Sequence, residues 1–410
     1  MAQSVPPDFK ETLSQRTALS SNKVPGCILA AVDRDGQYIY HETSGSTTLT
    51  SPTTPIDPES TFWVASCGKL IGTIAALQCV ERGQISLDDA DAIAHVLPEL
   101  ANPLVFTDPK GPDLRTVPAS RRITLRHLLS HTSGLAYDFF EPKLQAWRAE
   151  RGEGVLSLSG DVVNTHSVPL MFEPGRGFVY GGGIDWAGEL VARLNNTTLE
   201  AYLQKHIFQP LDMASTTFRL RNHPDIQKRM YPMFARQEDG VLVPAQDPWP
   251  AEPIADCAGA GLYSNVPDFM TLLADLIRDE PTVLKKETVE RYMFAAQFAP
   301  ASESQSAMAE SMGMISAMTG TDQDNSAMGI NWGLGGVFFE EDVGHIKAGT
   351  VAWGGLPNVM WSANREAGVA TIFATQLLPY NDAECLALER RFRGEVSRIM
   401  EHRRQDLRDE

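Results

Sequence analysis

The chain has 410 residues, 43% of them hydrophobic, with a net charge of -17 and a pI near 5.0. Length allows two or three units of domain size around a sizeable core, and the acidic balance argues against nucleic acid or an anionic membrane as main partner, because both demand clustered Lys and Arg. Cys27, Cys67, Cys79, Cys257 and Cys385 are scattered and odd in number, which makes no disulfide framework; with no apolar signal core at the amino terminus and no run of membrane-spanning length, a cytoplasmic protein is expected.

In chain order, residues 8–22 have the spacing of an amphipathic helix, and Cys27 to Asp33 and Tyr38 to Thr43 read as two strands. Arg34-Asp35-Gly36 between them is a hairpin signal. The apolar positions Leu70, Ile71, Ile74, Leu77, Cys79 and Val80 recur at three- and four-residue intervals, which predicts a helix beginning near Ser66 and stopping at Arg82-Gly83. Residues 98–120 are rich in Pro, Asp and Gly and read as a surface connection. Helices are then expected over Thr124 to Leu129, Phe139 to Arg151, Val162 to Thr165, Asp185 to Leu194 and Leu199 to Phe208.

From Gly259 onward short helices mix with β-prone runs at Val337 to Phe339, Val359 to Ala363 and Val369 to Thr375, and a charged helix from Glu384 to Arg404 closes the chain. Strands at both ends with helices between them predict an α/β domain, residues 1–95 and 215–410, interrupted by a mainly helical domain over 96–214. The Ser- and Met-rich stretch 301–328 suits either an apolar lid over a site or a disordered surface insertion.

If Ser66 opens the first long helix, Lys69 lies one turn further on the same face. A desolvated lysine can take the proton of such a hydroxyl, so Ser-x-x-Lys is a candidate activated nucleophile. No Gly-x-Ser-x-Gly elbow competes with it. His127 and His131 are four apart but lack a His-Glu-x-x-His pattern or a nearby carboxylate or Cys cluster, so structural histidines are the better reading and no metal is expected. The acidic run Asp88, Asp89 and Asp91 suits a helix amino terminus without any cation.

Three further stretches extend the candidate: Leu128-Leu129-Ser130-His131-Thr132-Ser133-Gly134-Leu135, then Glu173-Pro174-Gly175-Arg176-Gly177-Phe178-Val179-Tyr180-Gly181-Gly182, then Gly259-Ala260-Gly261-Leu262-Tyr263-Ser264 with Trp353-Gly354-Gly355-Leu356 far downstream. With these blocks in this order, roughly from residue 25 to 380, the chain resembles the serine β-lactamase and penicillin-binding superfamily. More narrowly it is similar to the class C-like esterases, the family VIII carboxylesterases, and to the lovastatin-type acyltransferases. The resemblance implies a β-lactamase/transpeptidase-like fold, with a central antiparallel sheet flanked by helices plus an inserted mainly helical domain. It also implies Ser66 as nucleophile, Lys69 and Tyr180 as its proton-transfer partners, and backbone N–H groups of Ser66 and Leu356 as the oxyanion hole, with no cofactor.

Departures from the family pattern narrow the substrate. Tyr180-Gly181-Gly182 lacks the side-chain amide that holds an acylamino group, and Trp353-Gly354-Gly355 replaces Lys-Thr-Gly, so the cation that pairs with a β-lactam carboxylate is gone. With Trp353, Gly354, Gly355 and Gly182 as substrate-binding positions at the edge of the sheet, an uncharged, apolar ester or thioester is expected. The resulting reading is a serine hydrolase working through an acyl-Ser66 intermediate. The alternative is an acyltransferase that moves the acyl group to an alcohol of a small secondary metabolite; a non-catalytic binding protein of the same fold is the remote one. An acyl-carrier protein could feed the second reaction, docking near Arg121, Arg122 and Arg126.

Overall fold

The structure, a computed structural model, describes residues 8–321 and 329–409. Seven strands form the main sheet: β1 (Gly26–Asp33), β2 (Tyr38–Gly45), β3 (Ile330–Gly333), β4 (Gly336–Phe339), β5 (Thr350–Gly355), β6 (Val359–Asn364) and β7 (Val369–Ala374). Their order is β2-β1-β7-β6-β5-β4-β3 and every pairing is antiparallel, so the first hairpin of the chain docks on the last one. The run Cys27 to Val32 is apolar without alternation because both of its faces are covered; β2, at the sheet margin, is only partly buried. The Asp-Gly hairpin forms as expected, with Gly36 at φ +77° and the Asp33 carboxylate accepting the N–H groups of Asp35 and Gln37.

The helices used below are α1 (Phe9–Thr17), α2 (Gly68–Glu81), α3 (Leu125–Leu129), α4 (Val162–His166), α5 (Gly183–Leu194), α6 (Val266–Ile277), α7 (Glu303–Glu310), α8 (Met312–Thr319) and α9 (Ala383–Asp409). α1 and α9 cover the sheet face that carries Tyr40, whose ring lies 5.9 Å from Phe9 and 5.4 Å from Phe392. α6 packs on β7, β1 and β6, and α2 packs against α5. α2 is buried nearly all round, which is why its sequence is apolar on every side rather than striped.

Several expectations are corrected. Ser66 lies in a short 3-10 turn, Ala65–Cys67, just ahead of α2, because Ala65 takes a left-handed φ of +45° that a continuous helix does not permit. Strands β3 and β5 were not expected; Ile330–Gly333 follows a polar stretch, and β5 ends on two glycines that read as a turn. Nor is β5 an edge strand, since it lies between β6 and β4. Its last residues nonetheless pair only with β6, at Trp353↔Trp361, Gly354↔Met360 and Gly355↔Val359, because the ladder to β4 ends at Ala352. The stretch 301–321 is built of α7 and α8 rather than being a disordered insertion over that range; the remainder of the predicted stretch, 322–328, lies outside the described residues.

Candidate active site

Ser66 is positioned from two sides. The strand Thr61–Trp63 pairs antiparallel with Tyr263–Asn265, and the Val64 N–H donates to the Leu262 carbonyl at 3.0 Å. One end of this ladder runs into Ser66, and the chain entering its other strand passes through Gly259. Lys69, 1% exposed on the first turn of α2, donates from Nζ to Ser66 Oγ at 3.1 Å and to the Gly259 carbonyl at 2.6 Å. Lys69 Nζ also lies 4.7 Å from the Tyr180 ring centroid and 5.1 Å from that of Tyr137. Such contact with aromatic faces holds an amine without spending a carboxylate on it.

Tyr180 is buried and sits just ahead of α5. Its oxygen accepts the indole Nε1–H of Trp353 at 3.2 Å, and the two rings are 5.1 Å apart. His131, from the turn after α3, packs on the other side of Tyr180 at a centroid distance of 4.8 Å, and its Nδ1 accepts the Gly181 N–H at 3.4 Å. Burial, and then the charge of Lys69, hold His131 well below the ordinary imidazole range, so it is neutral. It shapes the pocket under Tyr180. His127 likewise serves structure: its Nδ1 accepts the Thr124 N–H at 3.2 Å in a capping box that starts α3.

The four positions expected to bind substrate are placed differently. Trp353 is 1% exposed, donates its N–H to Tyr180 and does not line the cavity at Ser66. The His166 ring, from α4, fills the space where a side chain at 182 would stand, which leaves Gly182 to packing. Gly354 lies beneath the Met318 carbonyl and Gly355 against the Val64 carbonyl, both buried. Leu356 alone of this stretch reaches the cavity at Ser66.

That cavity is narrow and is lined by Ser66, Tyr137, Tyr180 and Leu356 together with apolar groups that include Phe139, Leu158 and Met318. Tyr137, Phe140 and Tyr180 are shared with a neighbouring space of about 770 Å³, whose far wall includes Met314 of α8. Sequence reasoning gave no role to Tyr137 or to Asp185. Tyr137 donates its hydroxyl to the buried Asp185 carboxylate at 3.0 Å, and the other oxygen of Asp185 accepts the Gly259 N–H at 2.8 Å. Gly259 lay within a quoted block, but no local signal marked its carbonyl as a lysine acceptor. Among the described residues no group of three or more His, Cys, Asp or Glu side chains could hold a metal ion.

The basic group expected to receive a carrier protein is largely neutralised: Arg126 forks onto Asp88 at 2.7 and 2.8 Å, and Arg122 pairs with Asp91. All five cysteines are free and buried, and no helix among the described residues is long and apolar enough to cross a membrane.

Set beside known proteins, residues 9–394 match the family model described as Beta-lactamase. The acyltransferase calJ of Penicillium decumbens is 34% identical over 92% of this chain and 94% of its own. The lovastatin esterase of Penicillium rubens is 33% identical over 93% and 96%. Simvastatin synthase from Aspergillus terreus, solved as its LovD6 mutant, superposes with a TM-score of 0.85 at 31% identity, covering 96% of this chain and 95% of that one. The chain is a member of the beta-lactamase family, in the branch that holds these esterases and acyltransferases.

Proposed function

We propose that the protein is a serine enzyme that cleaves carboxylic esters or thioesters through an acyl-Ser66 intermediate and passes the acyl group to water or to the alcohol of a small secondary metabolite. One observation carries this reading: Lys69 Nζ lies 3.1 Å from Ser66 Oγ and 4.7 Å from the centroid of the Tyr180 ring, and Ser66 and Tyr180 both line a largely apolar cavity.

Ser66 Oγ attacks the carbonyl while its proton passes to the Lys69–Tyr180 pair. Charge on the former carbonyl oxygen is met by the backbone N–H groups of Ser66 and Leu356, a kind of donor whose removal typically raises a barrier by about 2.7–4 kcal/mol. As the intermediate collapses, the alcohol or thiol takes a proton from Tyr180 and leaves. The acyl group is then released by attack of water or an acceptor hydroxyl, with proton movements reversed.

Hydrolysis is the simpler outcome. Acyl transfer is favoured by the apolar groups around Ser66, which keep water scarce, and by relatives named as acyltransferases, among them the monacolin J acid methylbutanoyltransferase of Aspergillus terreus, 32% identical over 92% of this chain and 92% of its own. A carrier protein is a possible acyl donor in this reading; free thioesters are the other. A cytoplasmic setting accords with the five free thiols.

Intact mass after incubation with an activated ester tests the scheme. A single acyl adduct is expected on the wild type and none on Ser66→Ala; an adduct that survives that substitution overturns it. Products from a panel of acyl esters, with and without acceptor alcohols, then give the fate of the acyl group.

A further inference from the structure

The position of Lys69 depends on a carbonyl that no sheet holds. Gly259 precedes the strand Tyr263–Asn265, and its carbonyl is the nearer of the two acceptors of Lys69 Nζ, 2.6 Å against 3.1 Å for Ser66 Oγ. What restrains this residue is Asp185, in the first turn of α5 and 1% exposed. Its Oδ1 accepts the Gly259 N–H at 2.8 Å, and its Oδ2 accepts the Tyr137 hydroxyl at 3.0 Å with His166 Nε2 at 3.5 Å. The loop is pressed against this pair: a β carbon at position 259 would fall inside van der Waals contact of Asp185 Oδ2 and 2.8 Å from Tyr137 Oη. A side chain at 259 would push the Asp185 carboxylate and the Tyr137 hydroxyl out of their present places.

We propose that Asp185 is a positioning residue for catalysis, one that sets the Gly259 carbonyl and through it the place of Lys69 Nζ against Ser66. It acts through the backbone and touches no substrate, since it lies behind Tyr137 and Gly259 rather than in the cavity wall. The groups that face the carboxylate are Tyr137 and His166, and its charge also reaches the neutral Cys257 thiol. Tyr137 is held well above the ordinary phenol range by burial and by that carboxylate, so it stays a donor and does not take the proton from Ser66. His166, which burial keeps below its ordinary value, is neutral. One anion therefore anchors the far side of the lysine's carbonyl acceptor. The inference rests on the proposed acyl-Ser66 chemistry.

The test is pre-steady-state acylation of the full chain by a p-nitrophenyl ester, comparing wild type with Asp185→Asn, which keeps the shape and removes the charge, and with Tyr137→Phe, which keeps Asp185 and removes one of its donors. For Asp185→Asn an acylation rate lower by about 10- to 100-fold is expected, because displacements of under 1 Å at a reacting group can have effects of that order. The substrate dissociation constant taken from the concentration dependence of the acylation rate should stay within about twofold, since no substrate contact is lost, and the limb of the pH profile that reports the Lys69–Tyr180 pair should move. Tyr137→Phe, which keeps the ring in the cavity wall, should give a smaller loss of acylation rate with the same displaced limb of the pH profile, and it remains informative if Asp185→Asn does not fold. A lowered melting temperature with unchanged acylation rate and pH profile in both variants overturns the positioning role alone. Release of p-nitrophenol by the wild type no faster than by Ser66→Ala overturns the proposed function itself, and the inference with it.

Discussion

The indole Nε1–H of Trp353 donates to the oxygen of Tyr180 at 3.2 Å, between residues 173 positions apart in sequence. Trp353 thus supplies a neutral donor to the tyrosine. A donor aimed at a phenol oxygen stabilises it most when it has lost its proton, so this bond gains strength as Tyr180 gives a proton up.

Trp353→Phe keeps an aromatic ring against Tyr180 but removes the N–H and part of a fully buried indole, so its melting temperature is measured beside its rate. Acylation by a p-nitrophenyl ester should slow by about tenfold, the equivalent of roughly 1.4 kcal/mol for one hydrogen bond to a group that becomes charged. Tyr180→Phe should be more severe, about 10²–10⁴-fold, because it removes a proton carrier rather than its support. Stopped-flow acylation rates check both, and equal rates for Trp353→Phe and wild type would remove the indole from the mechanism.

Gly182 is the second departure from the β-lactamase pattern, and the structure gives it a packing reason in the His166 ring beside it. Gly182→Asn should not create a β-lactam site. It should instead lower stability by about 1–3 kcal/mol, the usual range for overpacking a filled interior. Adding His166→Gly should recover part of that loss, and chemical denaturation of the single and double variants measures the coupling.

Met318 of α8 forms part of the wall around Ser66. Met318→Ala opens that wall to water, so the ratio of hydrolysis to transfer should rise several-fold while the acylation rate changes little. Product analysis with ester and acceptor alcohol both present gives the ratio directly.

Burial pushes the His127 imidazole down to about 4, and its Nδ1 must be unprotonated to accept the Thr124 N–H. The unfolded chain takes up this proton near pH 6.5 and the folded chain only near 4, so the contribution of His127 to stability is complete above about pH 6.5 and is lost as pH falls toward 4. The slope over that window is at most about 1.4 kcal/mol per pH unit. The stability difference between wild type and His127→Gln in urea melts should therefore shrink as pH falls from 6.5 to 4 and level off below; a difference independent of pH would contradict the assignment.

The sequence by itself determined the hairpin at Asp35-Gly36 and the Ser66–Lys69 spacing. These are set within a few residues, by turn chemistry and by the helical repeat. It also carried the family blocks, and with them the fold. What it did not contain was the partner of each group. Trp353 reads as an aromatic wall until β5 is seen to end beside Tyr180, and Gly182 reads as a missing amide until the His166 ring is found in its place. Asp185 looks like any acidic residue at the start of a helix, where negative charge is favoured anyway. Only the packing of α5 against α2 and the path of the Gly259 loop turn it inward, to a backbone N–H whose residue also holds the lysine. Periodicity and capping are local, so a single sequence displays them; hydrogen bonds between buried groups many residues apart are decided by tertiary packing, because burial leaves each polar group no partner but the one the fold brings to it.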